Sequence, residues 1–284
     1  MKRAVFLLVV VLCVASLPVV GFTRWMRPNL NASDLVPADQ GSEQAPRRTG
    51  VEALACSTGV LNGQYGISWT GTSKTIGPGA AAGIITFDGS GQIGGYGIAS
   101  LDGVIVERTW TGTYAVNDAC AGSATIVSSL GVSVSVVFVV FDRGKQIQFL
   151  ETDSGTVMSG VAKRIDSGPC SNETALGTHV ISFTGIGTGG ITGAALSVFR
   201  LDGRGGITGS GTASLDGVAV RRDFTGSYGV RPDCVGTATI RSNLGVSVTT
   251  GFVLLEQGAE GYFVGITAGM VLGGTSTRID QSAL

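Results

Sequence analysis

Histidine is nearly missing from this chain: 284 residues hold one, His179. A single imidazole leaves no Ser-His-Asp or Cys-His arrangement for most of the sequence and no His cluster for a metal. Charge is scarce as well. Asp, Glu, Lys and Arg supply 14% of the residues, against about 25% in average proteins. The 19 basic and 20 acidic side chains leave a net charge of -1, so there is no basic field for nucleic acid. Seven prolines and no Gly-X-Y period exclude collagen, and a Val- and Ile-rich chain with so little net charge is not disordered throughout. No Cys-x-x-Cys occurs, which removes the common zinc motif. The stretches Gly185-Ile-Gly-Thr-Gly-Gly and Gly203-Arg-Gly-Gly lack the Lys-Ser/Thr of a phosphate loop and read as hairpin loops. What the chain has in excess is glycine, at 46 residues about twice the usual share.

The N-terminus reads as an export signal. Met1 to Arg3 is basic and Ala4 to Phe22 is apolar apart from Ser16, Pro18 and Gly21. Residues 1–22 therefore form a cleaved signal peptide or, if uncleaved, an N-terminal anchor, the only expected membrane contact. Leu12 before Cys13 argues against lipidation. Residues 23–55, with Pro28, Pro37 and Pro46 and no apolar period, read as a disordered linker. The expected location is outside the cell or in the periplasm or envelope.

Beyond the linker the sequence repeats itself. Shifted by 114 residues, 56–166 aligns on 170–280 without a gap. Leu101-Asp-Gly-Val falls on Leu215-Asp-Gly-Val, Leu130-Gly-Val-Ser-Val on Leu244-Gly-Val-Ser-Val, and Arg164-Ile-Asp on Arg278-Ile-Asp. So long a period makes each copy a folding unit rather than a solenoid repeat, giving domains at 56–166 and 167–284. Cys56 and Cys120 are 64 residues apart, as are Cys170 and Cys234. Four cysteines allow three pairings; Cys56 with Cys120 and Cys170 with Cys234 gives each copy one disulfide.

Each copy reads as all-β. Runs of Val, Ile, Thr and aromatics alternate between Gly-rich breaks, and the first copy divides into strands near 63–70, 80–88, 91–101, 104–116, 121–129, 132–141, 145–151 and 155–164. The pairs Asp88-Gly89, Asp102-Gly103, Asp202-Gly203 and Asp216-Gly217 mark hairpins, because both central residues of a type I′ turn need positive φ. Eight short-looped antiparallel strands favour an up-and-down barrel, which abolishes exposed edges; two-sheet sandwiches are the alternative. Gly94, Gly95, Gly97 and Gly112 within strands suit the coiling of a small barrel.

The run Asp102-Gly-Val-Ile-Val-Glu-Arg-Thr-Trp-Thr-Gly-Thr-Tyr-Ala-Val-Asn, with Cys120-Ala-Gly-Ser-Ala-Thr and Gly155-Thr-Val-Met-Ser-Gly-Val-Ala-Lys-Arg, resembles uncharacterised exported bacterial repeat proteins. These are similar to the allene oxide cyclase-like and lipocalin-like (calycin) barrels. The resemblance covers both copies and implies barrels able to enclose a small molecule. Calycins carry Gly-x-Trp on the first strand and Arg on the last. Trp69 with Arg164, and Phe183 with Arg278, are the candidates here, although Gly66-Ile-Ser-Trp69 is one residue longer and the second copy has no Trp.

The chemistry-bearing candidates lie on the fourth strand of each copy. Period-two geometry puts Arg108, Trp110 and Tyr114 on one mostly apolar face, and Arg222, Phe224 and Tyr228 on its twin. A charge on a core face must be paired or hydrogen-bonded. Either Arg108 binds a ligand carboxylate, with Tyr114 donating a hydrogen bond and Trp110 forming a wall, or it is neutralised by an internal Asp or Glu or reaches water at the barrel mouth. The carboxylates Glu151 and Asp153 become Gly265 and Thr267 in the second copy, so an acid–base pair there would exist once only. His179 replaces Tyr65 and reads as structural. The sequence implies no cofactor and no catalytic residue. The leading expectation is an exported, non-catalytic protein binding a small, partly apolar molecule. A structural or adhesive envelope module with filled cores is the second, and a cyclase- or isomerase-like enzyme the third.

Overall fold

In the computed structural model, residues 56–166 and 168–279 are described; the signal segment and linker expected at 1–55 lie outside them. The described chain is all-β. The first copy forms β1 (Asn62–Ser73), β2 (Gly77–Asp88), β3 (Gln92–Leu101), β4 (Val104–Val116), β5 (Ala121–Ser128), β6 (Ser133–Phe141), β7 (Gln146–Glu151) and β8 (Thr156–Arg164). The second forms β9 (Gly177–Ile186), β10 (Thr192–Leu201), β11 (Gly206–Leu215), β12 (Val218–Val230), β13 (Val235–Ser242), β14 (Ser247–Leu255), β15 (Glu260–Gly265) and β16 (Val271–Ile279). Each set pairs with its sequence neighbours and closes last strand on first, β8 on β1 and β16 on β9, giving two closed antiparallel barrels. Closure leaves no free edge.

The hairpin signals act in two ways. Asp102-Gly103 and Asp216-Gly217 have positive φ at both residues, as a type I′ turn requires. At Asp88-Gly89 and Asp202-Gly203 only the glycine does. There the aspartate organises a longer loop through its carboxylate, which accepts the amides of Ser90 and Gln92, or of Arg204 and Gly206. The Ser90 hydroxyl and these amides hold the Asp88 carboxyl down at about 2.

One end of each barrel is plugged by a short 3-10 turn just before the first strand, at Thr58–Val60 and Asn172–Ala175. The disulfides Cys56–Cys120 and Cys170–Cys234 tie these segments to the β4–β5 and β12–β13 turns. Two disulfides imply folding in an oxidising, extracytoplasmic compartment. At the plug the aromatic opposite the last-strand arginine is Tyr65, not Trp69: Tyr65 is in register with Arg164 and donates its hydroxyl to the Gly144 carbonyl. In the second barrel His179 takes this place opposite Arg278, which donates to the carbonyls of Leu176 and Gln257. The arginines lie against Gly63 and Gly177, both at positive φ, where a side chain would be strained; at Gly177 it would also press on the Arg278 Cδ.

The barrels pack side by side. Strand β2 does not alternate, because its outer face meets the second barrel while its inner face lines the first. Ala80, Ala82 and Ile98 pack on Val264, Ile266 and Val271, and Ile84 and Tyr96 on Val253, Leu255 and Tyr262. Polar contacts frame this core. Lys163 reaches Glu256 at 2.6 Å and Glu260 at 2.8 Å, the Tyr96 hydroxyl donates to Asp233 at 2.6 Å, and the Gly269 amide donates to the Gly103 carbonyl at 2.8 Å.

Candidate functional site

Strands β4 and β12 carry the expected residues on their inner faces, but at different heights. Tyr114 lies at the plugged end, where its hydroxyl contacts the carbonyls of Leu61 and Thr58 at 2.8 and 3.1 Å. Tyr228 does the same, donating to the Asn172 carbonyl and accepting from the Gly203 amide, both at 3.0 Å. These hydroxyls are engaged by backbone, so Tyr228 serves the second cavity as a wall, while Tyr114 packs in the core at the plug and lines no part of the first cavity. Trp110 and Phe224 come next along the strand, and Arg108 and Arg222 sit towards the end away from the plug.

The first barrel holds a cavity of about 270 Å³ with both signs of charge in its lining: Arg108 on one side, Glu151 and Asp153 on another. The Arg108 guanidinium lies 5.5 Å above the Trp69 ring. Burial pushes the Arg108 pKa down, and the Glu151 charge opposes it. Burial also raises Glu151, with the Thr156 hydroxyl and Arg108 acting the other way and Asp153 adding to the rise. No ion pair closes between Arg108 and Glu151 within 4 Å, yet each is the other's field. Glu151 therefore faces Arg108 across the cavity without forming an ion pair with it. The indole of Trp110 lies so close on β3 that a Cβ at Gly95 would collide with its Nε1, so that glycine makes room for the ring. The Nε1 itself is buried without an acceptor.

The second barrel holds a cavity of about 130 Å³ with a different character. Phe183, Phe224, Ile240, Phe252, Phe263 and Leu272 dominate its wall. Phe183 and Phe224 stand where the first barrel has Trp69 and Trp110, while Gly265, Thr267 and Met270 replace Glu151, Asp153 and Thr156. The arginine survives and its carboxylates do not. Arg222 has no hydrogen-bond or ion-pair partner among the described residues, and its Nε is buried unsatisfied together with the Ser242 hydroxyl. His179 lies at the plug with Nε2 3.1 Å from the Ala175 carbonyl, and burial lowers its pKa. Among the described residues no group of three or more His, Cys, Asp or Glu is placed to hold a metal, and no helix is long and apolar enough to cross a membrane.

Two open cavities argue against cores filled by large side chains. The decisive signal is present in the sequence as the change of Glu151 to Gly265. Taken there, it counts against an acid–base pair; only the closed barrel shows that it also leaves an arginine unpaired.

No family model and no curated protein matches the chain. Among solved structures, a protein of unknown function from the DUF3598 family of Nostoc punctiforme aligns at 11% identity over 78% of this chain and 97% of its own, with a TM-score of 0.23. Transferrin binding protein B of Neisseria meningitidis serogroup B aligns at 6% identity over 77% and 75%, with a TM-score of 0.32. A mutant of the same protein from Haemophilus parasuis gives 8%, 77%, 76% and 0.29. At such values none of these proteins' properties is carried to this chain.

Proposed function

We propose that this is an exported, non-catalytic binding protein whose second barrel holds a small apolar acid, with the carboxylate on Arg222 and the apolar body among Phe183, Phe224 and Phe252. The supporting observation is the buried, partnerless guanidinium Nε in an otherwise apolar cavity. A buried donor without an acceptor costs about 1–3 kcal/mol; a carboxylate paired through two parallel N–H···O bonds removes that cost and adds orientation. A dry apolar cavity of about 150 Å³ accepts a benzene-sized molecule, and about 130 Å³ sets a similar limit on the apolar part. In the first barrel Arg108 already faces Glu151, so a neutral, partly polar molecule suits that cavity. The Glu151 and Asp153 pair exists in one barrel only, which is why binding rather than acid–base chemistry is inferred.

Calorimetric titration with hexanoate and with 1-hexanol tests this. Hexanoate is expected to bind at least about tenfold more tightly, the value of one charge-assisted contact of about 1.4 kcal/mol. Arg222→Met should abolish that preference and leave the alcohol unchanged. Equal affinities in both proteins would remove the carboxylate from the proposal, and no binding of either compound would remove the ligand. Native mass spectrometry of protein purified gently from its own cells, beside a denatured sample, would weigh any resident molecule.

A further inference from the structure

The two barrels meet through different faces: the first uses β2 and β3, flanked by β1 and the end of β8, and the second uses β14 to β16. Because the copies share strand order and align by one constant shift, each face has a twin within the chain, left uncovered except where the Val161–Lys163 end of β8 meets the second barrel. Strands β10 and β11 are the twin of β2 and β3, and β6 to β8 the twin of β14 to β16.

These twins have kept an apolar residue at six of the interface positions, whereas Ile98, Tyr262 and Ile266 become Thr212, Gln148 and Thr152. Ala82 and Ile84, buried between the barrels, correspond to Leu196 and Val198, and Leu196 is 60% exposed. Val253, Leu255, Val264 and Val271, equally buried there, correspond to Val139, Phe141, Leu150 and Val157, all exposed, Val157 by 74%. Scattered exposed hydrophobics are ordinary. Six that gather on two faces, at the positions which the other copy buries against a barrel, are a patterned surface. The polar frame was not kept. Lys163, Glu256 and Glu260 correspond to Thr277, Asp142 and Gln146, and Tyr96 and Asp233 to Ser210 and Ala119.

We propose that the β10–β11 face of one molecule docks on the β6–β8 face of a second copy of the same chain, repeating between molecules the contact that joins the two barrels within one. Such a contact is head to tail, so it extends into a row or closes into a ring rather than stopping at a symmetric dimer. Lacking both the ion pairs and the covalent tether that raises effective concentration within the chain, it is weaker than its internal counterpart and depends on concentration.

Sedimentation velocity of the full-length protein from micromolar to millimolar concentration reads this directly. The wild-type sedimentation coefficient should climb with concentration past the dimer value. Leu196→Asp spoils one face and Val139→Asp the other, and both sites are exposed enough to leave the barrels folded, which circular dichroism checks. Each variant alone should remain monomeric. Their equimolar mixture should form a one-to-one dimer and go no further, because one intact face of each kind remains. A wild type that stays monomeric throughout, a mixture that fails to pair, or a single variant that still associates would each overturn the proposal.

Discussion

Tyr114 on β4 donates its hydroxyl to the Leu61 carbonyl at 2.8 Å across 53 residues of sequence, so the wall of the barrel holds its own plug in place. Tyr114→Phe keeps the buried ring and its edge-on contact with Phe87, 4.9 Å between centroids, but leaves that carbonyl without its donor. A loss of about 1 kcal/mol is expected. Urea unfolding measures it, and faster amide exchange at Val60 and Leu61 would place the loss at the plug.

Lys163 joins the barrels through Glu256 and Glu260 while remaining 12% exposed. Burial acts to lower its pKa, but hydrogen bonds to the two glutamates outweigh it and the ammonium titrates above its usual value of 10.5. The folded state therefore favours the charged form. Its stabilisation is complete below about 10.5 and fades as the pH rises through the higher folded value. Lys163→Met should cost about 1–2 kcal/mol near neutrality, the glutamates being partly in water. Thermal melts at pH 8 and pH 11 should show the variant and wild type converging at the higher pH.

The two inner arginines should respond in opposite directions. Arg222→Met removes an unsatisfied buried donor and should stabilise the ligand-free protein by about 1 kcal/mol. Arg108→Met removes the charge that faces Glu151 and the cation over Trp69, and should destabilise by about 1 kcal/mol. Parallel urea titrations of the two variants decide the matter; changes of the same sign would mean that the barrels are not differentiated as described.

Each disulfide spans a sequence separation of 64 residues. Loop-closure entropy for such a span gives about 4 kcal/mol. Cys56→Ser with Cys120→Ser should lower the stability of the first barrel by roughly that amount, seen as an early transition in calorimetry that wild type shows only with reductant.

The barrels were legible because their signals are local. Alternation in 104–116 and the Asp102-Gly103 and Asp216-Gly217 turns set the strands to within a few residues, and the constant shift between copies gave the disulfide pairing. Height along a barrel was not legible. Alternation puts Tyr114 and Arg108 on the same wall, but only the closed register shows that one reaches the plug and the other the far end. The 3-10 plugs escape a sequence reading because Thr58–Val60 is too short to carry a period. The packing of barrel on barrel had a visible trace in Ala80-Ala-Ala-Gly-Ile-Ile, a run without polar alternation, whose meaning depends on a partner about 170 residues away in sequence, as the Ser100 hydroxyl bonded to the Met270 carbonyl illustrates.

That run also limits how the chain can be divided. Each residue from Ala80 to Ile85 faces either the inside of its own barrel or the flank of its neighbour, so no position in it is free to drift. A polypeptide cut off near residue 168 would present Ala80, Ala82 and Ile84 to water, and one beginning there would do the same with Val253, Leu255 and Val264. Although born by copying, the halves are no longer interchangeable cassettes: neither can be excised, swapped or expressed alone without a bare seam, and the pair must be inherited as one.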